Sequence, residues 1–445
     1  MIHRHPRTPR RDLYAAAAAV LLVTAAVLVG RHIQDTRHTL FVHWPPLFAE
    51  WDPHLGPGTP AALLLAAAGV AYGPTLATRL PWRALPWVTW AASAAWIVSL
   101  ALVDGWHDGI ASRLTTGNEY LQVIGRFHDI PATLRGFDDH IIGGVPGNWP
   151  AHVAGHPPAA TVTFVLLDRL GLGGGGWAGM WCVVLGASAS AAVLVALRVL
   201  ADERLARRAA PFLVLAPAAV WMGASADAYF AAVAAWALAC LALALTRRSL
   251  PWAGASGLLF GLTCYLSYGL TLIALIGIAV LVLTRTDFRA RPALLPVFLA
   301  GLAVVPVVFG LLGFNWWTAY HLLVTRYYQG VGGTRPYAYW IWANLACTAV
   351  ITGPATAAAL PRTVGSLTHR DDRPAARLAL IVCAALAALL IADLSGMSKA
   401  ETERIWLPFA VWLLPACAFL PRPRIWLGAQ VVLALLVNHL LLTGW

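Results

Sequence analysis

Charge is scarce in this chain. Only 11% of its 445 residues are Asp, Glu, Lys or Arg, and lysine occurs once, at Lys399. So few charges cannot cover the surface of a water-soluble protein of this length. Paired cysteines are missing as well: Cys182, Cys240, Cys264, Cys347, Cys383 and Cys417 all fall in apolar runs, without a CxxC spacing. That excludes a disulfide framework and a thiolate zinc site. Acids are fewer than bases, 20 against 31, giving a net charge of +11. The bases stand singly or in short groups between hydrophobic runs rather than on one exposed face, which excludes nucleic acid as a partner. There is no internal repeat, and no polar stretch is long enough to fold as a soluble domain of its own.

What the chain has is hydrophobic length. Fifty-nine per cent of residues are hydrophobic and the mean hydropathy is +0.69, the composition of an all-α, polytopic membrane protein. Apolar runs between short Arg-rich or Gly/Pro-rich breaks predict about thirteen spans, near 13–30, 60–79, 84–104, 177–199, 209–224, 227–246, 251–267, 268–284, 292–313, 338–360, 376–394, 405–420 and 424–442. The N-terminal MIHRHPRTPRRDLY precedes an apolar run with no convincing cleavage site, so it reads as an anchor. Basic groups at Arg4–Arg11, Arg79/Arg83, Arg198–Arg208, Arg247/Arg248, Arg285–Arg291, Arg362–Arg377 and Arg422/Arg424 alternate with polar, arginine-poor segments. By the positive-inside rule the N-terminus is cytosolic and the C-terminus outside, as for a multi-pass plasma-membrane protein. This orientation requires HPPAATVTFVLLDRL, from His156, not to cross. It is expected to form a short surface or re-entrant helix over 157–170.

One large outer loop, about 105–176, then collects the polar chemistry. The loop and its edge carry Asp104, Asp108, Glu119, Asp129, Asp138 and Asp139 beside His107, His128, His140, His152 and His156. Further outer segments are 31–59, the turn at Asp227, YLSYG at 265–269, the aromatic stretch 315–337 and SGMSKAETER at 395–404. Three parts follow: 1–83 with a tail, two spans and an outer loop; 84–250 with the large loop; and 251–445 with the outer loops 315–337 and 395–404. The pairs His107-Asp108 and His128-Asp129, and Asp138-Asp139-His140, offer ligands for a divalent ion such as Mg or Mn, in no recognised metal-motif spacing. Aromatics from Trp316 to Tyr339 form either an interfacial belt or a sugar-stacking surface; the belt is the commoner arrangement.

Asn118-Glu119-Tyr120 after an early span, His156-Pro157-Pro158 at a surface helix, a span ending in a basic turn and Ser225-x-Asp227 together resemble the GT-C glycosyltransferase superfamily. The similarity is to membrane transferases that use polyprenyl-phosphate sugars, and to actinobacterial integral membrane proteins with GHPP, SYG, RPY and ERIWLPF segments. It covers about 84–250, with SKAETERIWLPF adding to it. The resemblance implies an inverting transfer of a sugar from a polyprenyl-phosphate donor to a cell-envelope glycan, lipid or protein acceptor at the outer face.

The residues suit such chemistry by themselves. A carboxylate must take the acceptor hydroxyl proton, and cations must hold the departing phosphate. Glu119 is the expected base, with Tyr120 beside it. The family's usual acidic pair is Asp-Glu, and Asn118 stands in the first place, so Asp138 and Asp139 remain candidates. Arg404 is expected at the depth of a lipid phosphate, assisted by Lys399 and Arg335, with Glu403 also a substrate-binding candidate, although Glu403 and Arg404 could equally anchor a helix end. His156 either contacts substrate or starts a helix, and Asp227 is either a site residue or a turn former. Two rival readings are a transporter or lipid flippase and a non-catalytic GT-C relative. The near absence of ionisable residues within the spans favours chemistry at one face.

Overall fold

A computed structural model describes residues 9–368 and 372–444. Arg4 and Arg7 of the N-terminal basic group and Arg370 of the 362–377 group lie outside the described residues. Among the described residues, nine helices are long and apolar enough to cross a membrane: Pro9–Arg37, Thr59–Arg79, Leu85–Ala101, Gly175–Leu200, Ala226–Arg247, Leu294–Leu311, Tyr337–Leu367, Arg373–Leu394 and Pro423–Leu440. Three shorter apolar helical stretches, Leu250–Leu266, Tyr268–Leu283 and Leu407–Phe419, coincide with three more of the runs read as spans. The chain is an all-α, multi-pass membrane protein.

The thirteenth expected span, 209–224, is not one helix. Its helix Glu203–Val214 ends before Pro217, a 3-10 turn covers Pro217–Val220, and the chain reaches Ser225 without regular structure. The 405–420 run is broken in the same way, into Leu407–Ala410 and the 3-10 turn Leu414–Phe419, with Pro408 and Pro415 at the first turns. Proline removes a backbone donor and clashes with the preceding turn, so neither run continues as an α-helix. Both runs are buried within the protein, which is where non-helical backbone is tolerated at membrane depth.

The helix Tyr337–Leu367 shows how such a break is satisfied. Gly353 adopts φ 77° and ψ 171° in its middle. The fully buried Gln430 fills the gap, its Nε2 donating to the Thr352 carbonyl (2.9 Å) and its Oε1 accepting from Ala355 N (3.4 Å). Elsewhere small residues set the packing. An added Cβ on Gly257 would sit 2.0 Å from the Phe298 carbonyl oxygen, and one on Gly301 2.4 Å from that of Gly254. The helices Leu250–Leu266 and Leu294–Leu311 therefore meet backbone to backbone, as small residues permit between membrane helices.

At one end Arg207 donates to the carbonyls of Ala77 and Leu80, Arg208 to Leu420, Arg377 to Leu283 and Arg424 to Ala71, and Arg362 pairs with Asp12. The basic groups thus converge on one end of the bundle. The acid- and histidine-bearing segments meet at the other. There the strands Ala49–Trp51 and Leu441–Thr443 pair antiparallel, Arg113 bonds Asp104 and the Thr443 carbonyl, and Arg335 reaches the Leu40 carbonyl. Both ends of the 105–176 loop lie together, since an added Cβ on Gly175 would meet the Ala111 carbonyl oxygen at 1.8 Å. Between them the His-Pro-Pro helix is Ala159–Arg169, 11 residues, or about 16 Å against a hydrocarbon core of about 30 Å. It is too short to cross.

Candidate functional site

Four segments far apart in sequence build one buried polar network at the acid-rich end. The first is the turn at Asn118. Glu119, in extended conformation, precedes the 3-10 stretch Tyr120–Arg126 and is 3% exposed. The second is the short helix Ala151–Gly155, which places His152 and His156 four residues apart at the start of the His-Pro-Pro segment. The third is the first turn of Ala226–Arg247. There Ser225 Oγ accepts from Asp227 N, so Ser225 is the cap and the Asp227 carboxylate is left to point elsewhere. The fourth is the turn of Thr402–Ile405, preceded by Ala400 and Glu401 at φ 72° and 62°. Two successive non-glycine residues in the left-handed region store strain that the surrounding contacts must hold, a pattern that clusters at functional sites.

Arg404 is the hub. It is 5% exposed. Its Nη1 donates to Asp227 Oδ2 in a short ion pair, and its Nη2 to Glu401 Oε2 (2.9 Å) and towards His152 Nε2 (3.1 Å). His152 Nδ1 lies 2.7 Å from Glu119 Oε1, while Glu119 Oε2 is buried with no hydrogen-bond partner. Burial opposes the charge on Arg404, but Asp227, Glu401 and Glu119 outweigh it and hold the guanidinium firmly protonated. Burial likewise pushes Glu401 towards its neutral form, and the neighbouring Arg404, His152 and Arg335 reverse that, leaving its carboxyl below the usual range.

A second tier supports the first. His156 Nδ1 lies 2.7 Å from the His152 carbonyl, which can only accept, so Nδ1 carries the proton and the Tyr120 hydroxyl, at 3.0 Å, shares it. Burial lowers His156 to about 4, which keeps the ring neutral, and raises the Tyr120 hydroxyl well above its ordinary value. Arg335 donates to the carbonyls of Leu40 (2.9 Å) and Lys399 (2.8 Å) and lies 3.6 Å from Glu401 Oε1. Lys399 Nζ donates to the Gly332 carbonyl (2.8 Å). Both cations therefore tie down the 395–404 loop.

Of the residues singled out in the sequence, Glu119, Tyr120, His156, Asp227 and Arg404 come together in this network, with Arg335 joined through Glu401. Arg404 is buried behind two carboxylates rather than lying open at a helix end. Glu403 is fully buried beside it but turns away, accepting from Phe48 N (2.7 Å). Asp138 and Asp139 lie on the separate turn Asp138–His140, where no hydrogen bond joins them to the network among the described residues. Burial and then Asp139 raise Asp138 to about 6. Two members were not singled out: His152 and Glu401. The signal was present for both, His152 four residues before His156 and Glu401 three before Arg404, each spacing shared by one helical face.

Among the described residues no group of three or more His, Cys, Asp or Glu side chains is arranged to hold a metal ion. His107-Asp108, His128-Asp129 and Asp138-Asp139-His140 do not converge into one. Asp227 and Glu401, the carboxylates nearest the hub, face the Arg404 guanidinium instead. This donor set does not fit a divalent cation.

No family model matches the chain, and no curated protein matches it in sequence. Among solved structures it is similar to the Archaeoglobus fulgidus oligosaccharyltransferase in three forms. In complex with Zn and sulfate the identity is 14% and the TM-score 0.43, over 80% of this chain and 50% of that one. Tethered with an acceptor peptide containing the NVT sequon, the values are 13% and 0.45, over 76% and 49%. In the apo form they are 13% and 0.40, over 80% and 50%. The chain spans about half the length of these structures.

Proposed function

We propose that the protein is an inverting, GT-C-type membrane glycosyltransferase that moves a sugar from a polyprenyl-phosphate donor to a hydroxyl of a cell-envelope acceptor on the extracytoplasmic face. The observation that carries this reading is the Glu119 carboxylate. One of its oxygens is fixed by His152 and the other is buried and unpartnered, at the end of the bundle opposite the basic groups. A desolvated carboxylate with one oxygen held and the other unpartnered is suited to take a proton from an incoming hydroxyl. In the reaction that proton passes to Glu119, the acceptor oxygen bonds the anomeric carbon from the face opposite the phosphate, and the bond to the phosphate oxygen breaks. The configuration inverts.

The positive charge opposing the departing phosphate comes from Arg404. Two carboxylates already compensate it, so the phosphate must compete with Asp227 or Glu401 for the guanidinium. That exchange suits a group that becomes more anionic as the bond breaks: the arginine gains most from the phosphate when its charge is largest.

The test uses the full chain, purified in lipid nanodiscs and incubated with a panel of polyprenyl-phosphate sugars and cell-envelope acceptors. Mass spectrometry and NMR should detect transfer with inverted anomeric configuration. Proteoliposomes that move lipid-linked sugars across the bilayer without consuming any donor would contradict the proposal and favour a flippase.

A further inference from the structure

His152 is one of several histidines in the outer loop, and only its spacing from His156 marks it in the sequence. Its two ring nitrogens set it apart. A guanidinium has only N–H groups to offer, so the Arg404 Nη2 at 3.1 Å requires a lone pair at His152 Nε2. The single proton of the neutral ring must then sit on Nδ1, 2.7 Å from Glu119 Oε1, and there it can only be donated. The ring is 13% exposed and the Glu119 side chain 5%, so water competes little for either bond.

We infer that His152 is a positioning residue for the proton-accepting carboxylate, held as the Nδ1–H tautomer by Arg404 so that it occupies Glu119 Oε1 and leaves Oε2 as the accepting oxygen. This rests on the reading of Glu119 as the base. The balance is complete within the site: the acceptor hydroxyl proton goes to Glu119 Oε2, the acceptor oxygen bonds the anomeric carbon, and the electron pair of the cleaved bond leaves with the phosphate. His152 neither gains nor loses a proton. Its contribution is twofold. It turns the carboxylate so that its unpartnered oxygen faces the reacting hydroxyl, and it links that carboxylate to the arginine, so that base and phosphate-facing cation keep a fixed separation.

Two substitutions separate the functions of the ring. His152→Asn places an amide nitrogen near the Nδ1 position and keeps the donor to Glu119. His152→Gln places an acceptor near the Nε2 position and keeps the contact with Arg404 while losing the donor. His152→Asn, which loses the link to Arg404, is expected to lower kcat by less than His152→Gln does. His152→Gln is expected to lower kcat by about 10- to 100-fold, with KM for the donor little changed in protein of unaltered Tm. Equal kcat in the two folded variants and wild type, or a change confined to Tm, overturns the assignment.

A second measurement does not depend on turnover. Nitrogen-15 NMR of histidine-labelled protein in nanodiscs should show His152 as the Nδ1–H form, changed by Arg404→Lys. An Nε2–H signal in active enzyme overturns the role of His152 alone. An Nδ1–H signal in protein that transfers sugar from no donor overturns the glycosyltransferase reading, and with it any role of His152 in that reaction.

Discussion

Arg404 lies in a place where a cation is both costly and required. Its desolvation is offset only because Asp227, Glu401 and His152 all face it, and the reverse holds for the two carboxylates. Removing one partner of such a buried set leaves uncompensated charge, at a cost of about 3–5 kcal/mol. Arg404→Ala is therefore expected to abolish the folded state or lower Tm sharply. Arg404→Lys keeps the charge but gives up the planar fork that reaches several partners at once, so it should fold with a reduced Tm and a weakened donor affinity. Thermal unfolding and donor titration of both variants check this; a lysine variant with unchanged Tm and affinity would mean that the fork is not used. Glu403 makes a different residue-scale case. Burial raises its carboxyl from 4.5 to about 7, so the folded chain keeps the proton to higher pH than the unfolded chain does. Its contribution therefore declines as pH rises from about 4.5 to about 7. Glu403→Gln preserves the acceptor for Phe48 N and cannot ionise. Relative to wild type, its Tm should rise progressively between pH 5 and pH 8. A constant difference across that range would contradict the assignment.

At the scale of elements, helices that stop within the bundle matter as much as those that cross it. The breaks at 215–225 and 400–407 bring Asp227 and Arg404 together, because a continuous helix through either segment would carry its polar residue past the other. The break at Gly353 depends on a side chain from another helix. Gln430 completes the backbone bonding there, and an added Cβ at Gly353 would lie 1.8 Å from Gln430 Oε1. Gly353→Ala meets both that collision and a positive φ, so a loss of about 2–4 kcal/mol is expected, where the same change in an unstrained backbone would gain about 0.4–1 kcal/mol. Gln430→Leu should cost about 1–3 kcal/mol by leaving Ala355 N without its acceptor, while the Thr352 carbonyl keeps the Thr356 hydroxyl. Unfolding in a mild detergent measures both. A neutral Gly353→Ala would show that the helix can straighten.

For the whole molecule, the sorting of basic groups to one end and acid-rich loops to the other makes the orientation testable. Asp139 and Leu170 are exposed on either side of the His-Pro-Pro helix, and the native cysteines are buried or half-buried. In intact cells Asp139→Cys and Leu170→Cys should both react with an impermeant maleimide from outside, and Arg83→Cys only after permeabilisation. Labelling of Leu170→Cys from the cytosol alone would mean that the helix crosses.

Most spans and the two-faced charge distribution were legible in the sequence, because apolar length and arginine position are local signals. The network was legible in part. Glu119, Asp227 and Arg404 stood out as polar residues at apolar boundaries, but their meeting is a tertiary fact, with 177 positions between Asp227 and Arg404 alone. The proline breaks in 209–224 and 405–420 were visible as letters and overridden by hydropathy. His152 was obscured by the other histidines around it, and its role depends on which nitrogen faces which partner.

The central claim is that Glu119, with one oxygen held and the other buried without a partner, takes the acceptor proton. Single-turnover transfer by Glu119→Gln measures it most directly, since glutamine keeps the size of the side chain and lacks its basicity. The rate should fall by about 10²- to 10⁴-fold with donor affinity nearly unchanged, while Asp138→Asn and Asp139→Asn stay close to wild type. Full activity of folded Glu119→Gln, alongside an inactive Asp138 or Asp139 variant, would contradict the account and move the chemistry to the Asp138–His140 turn.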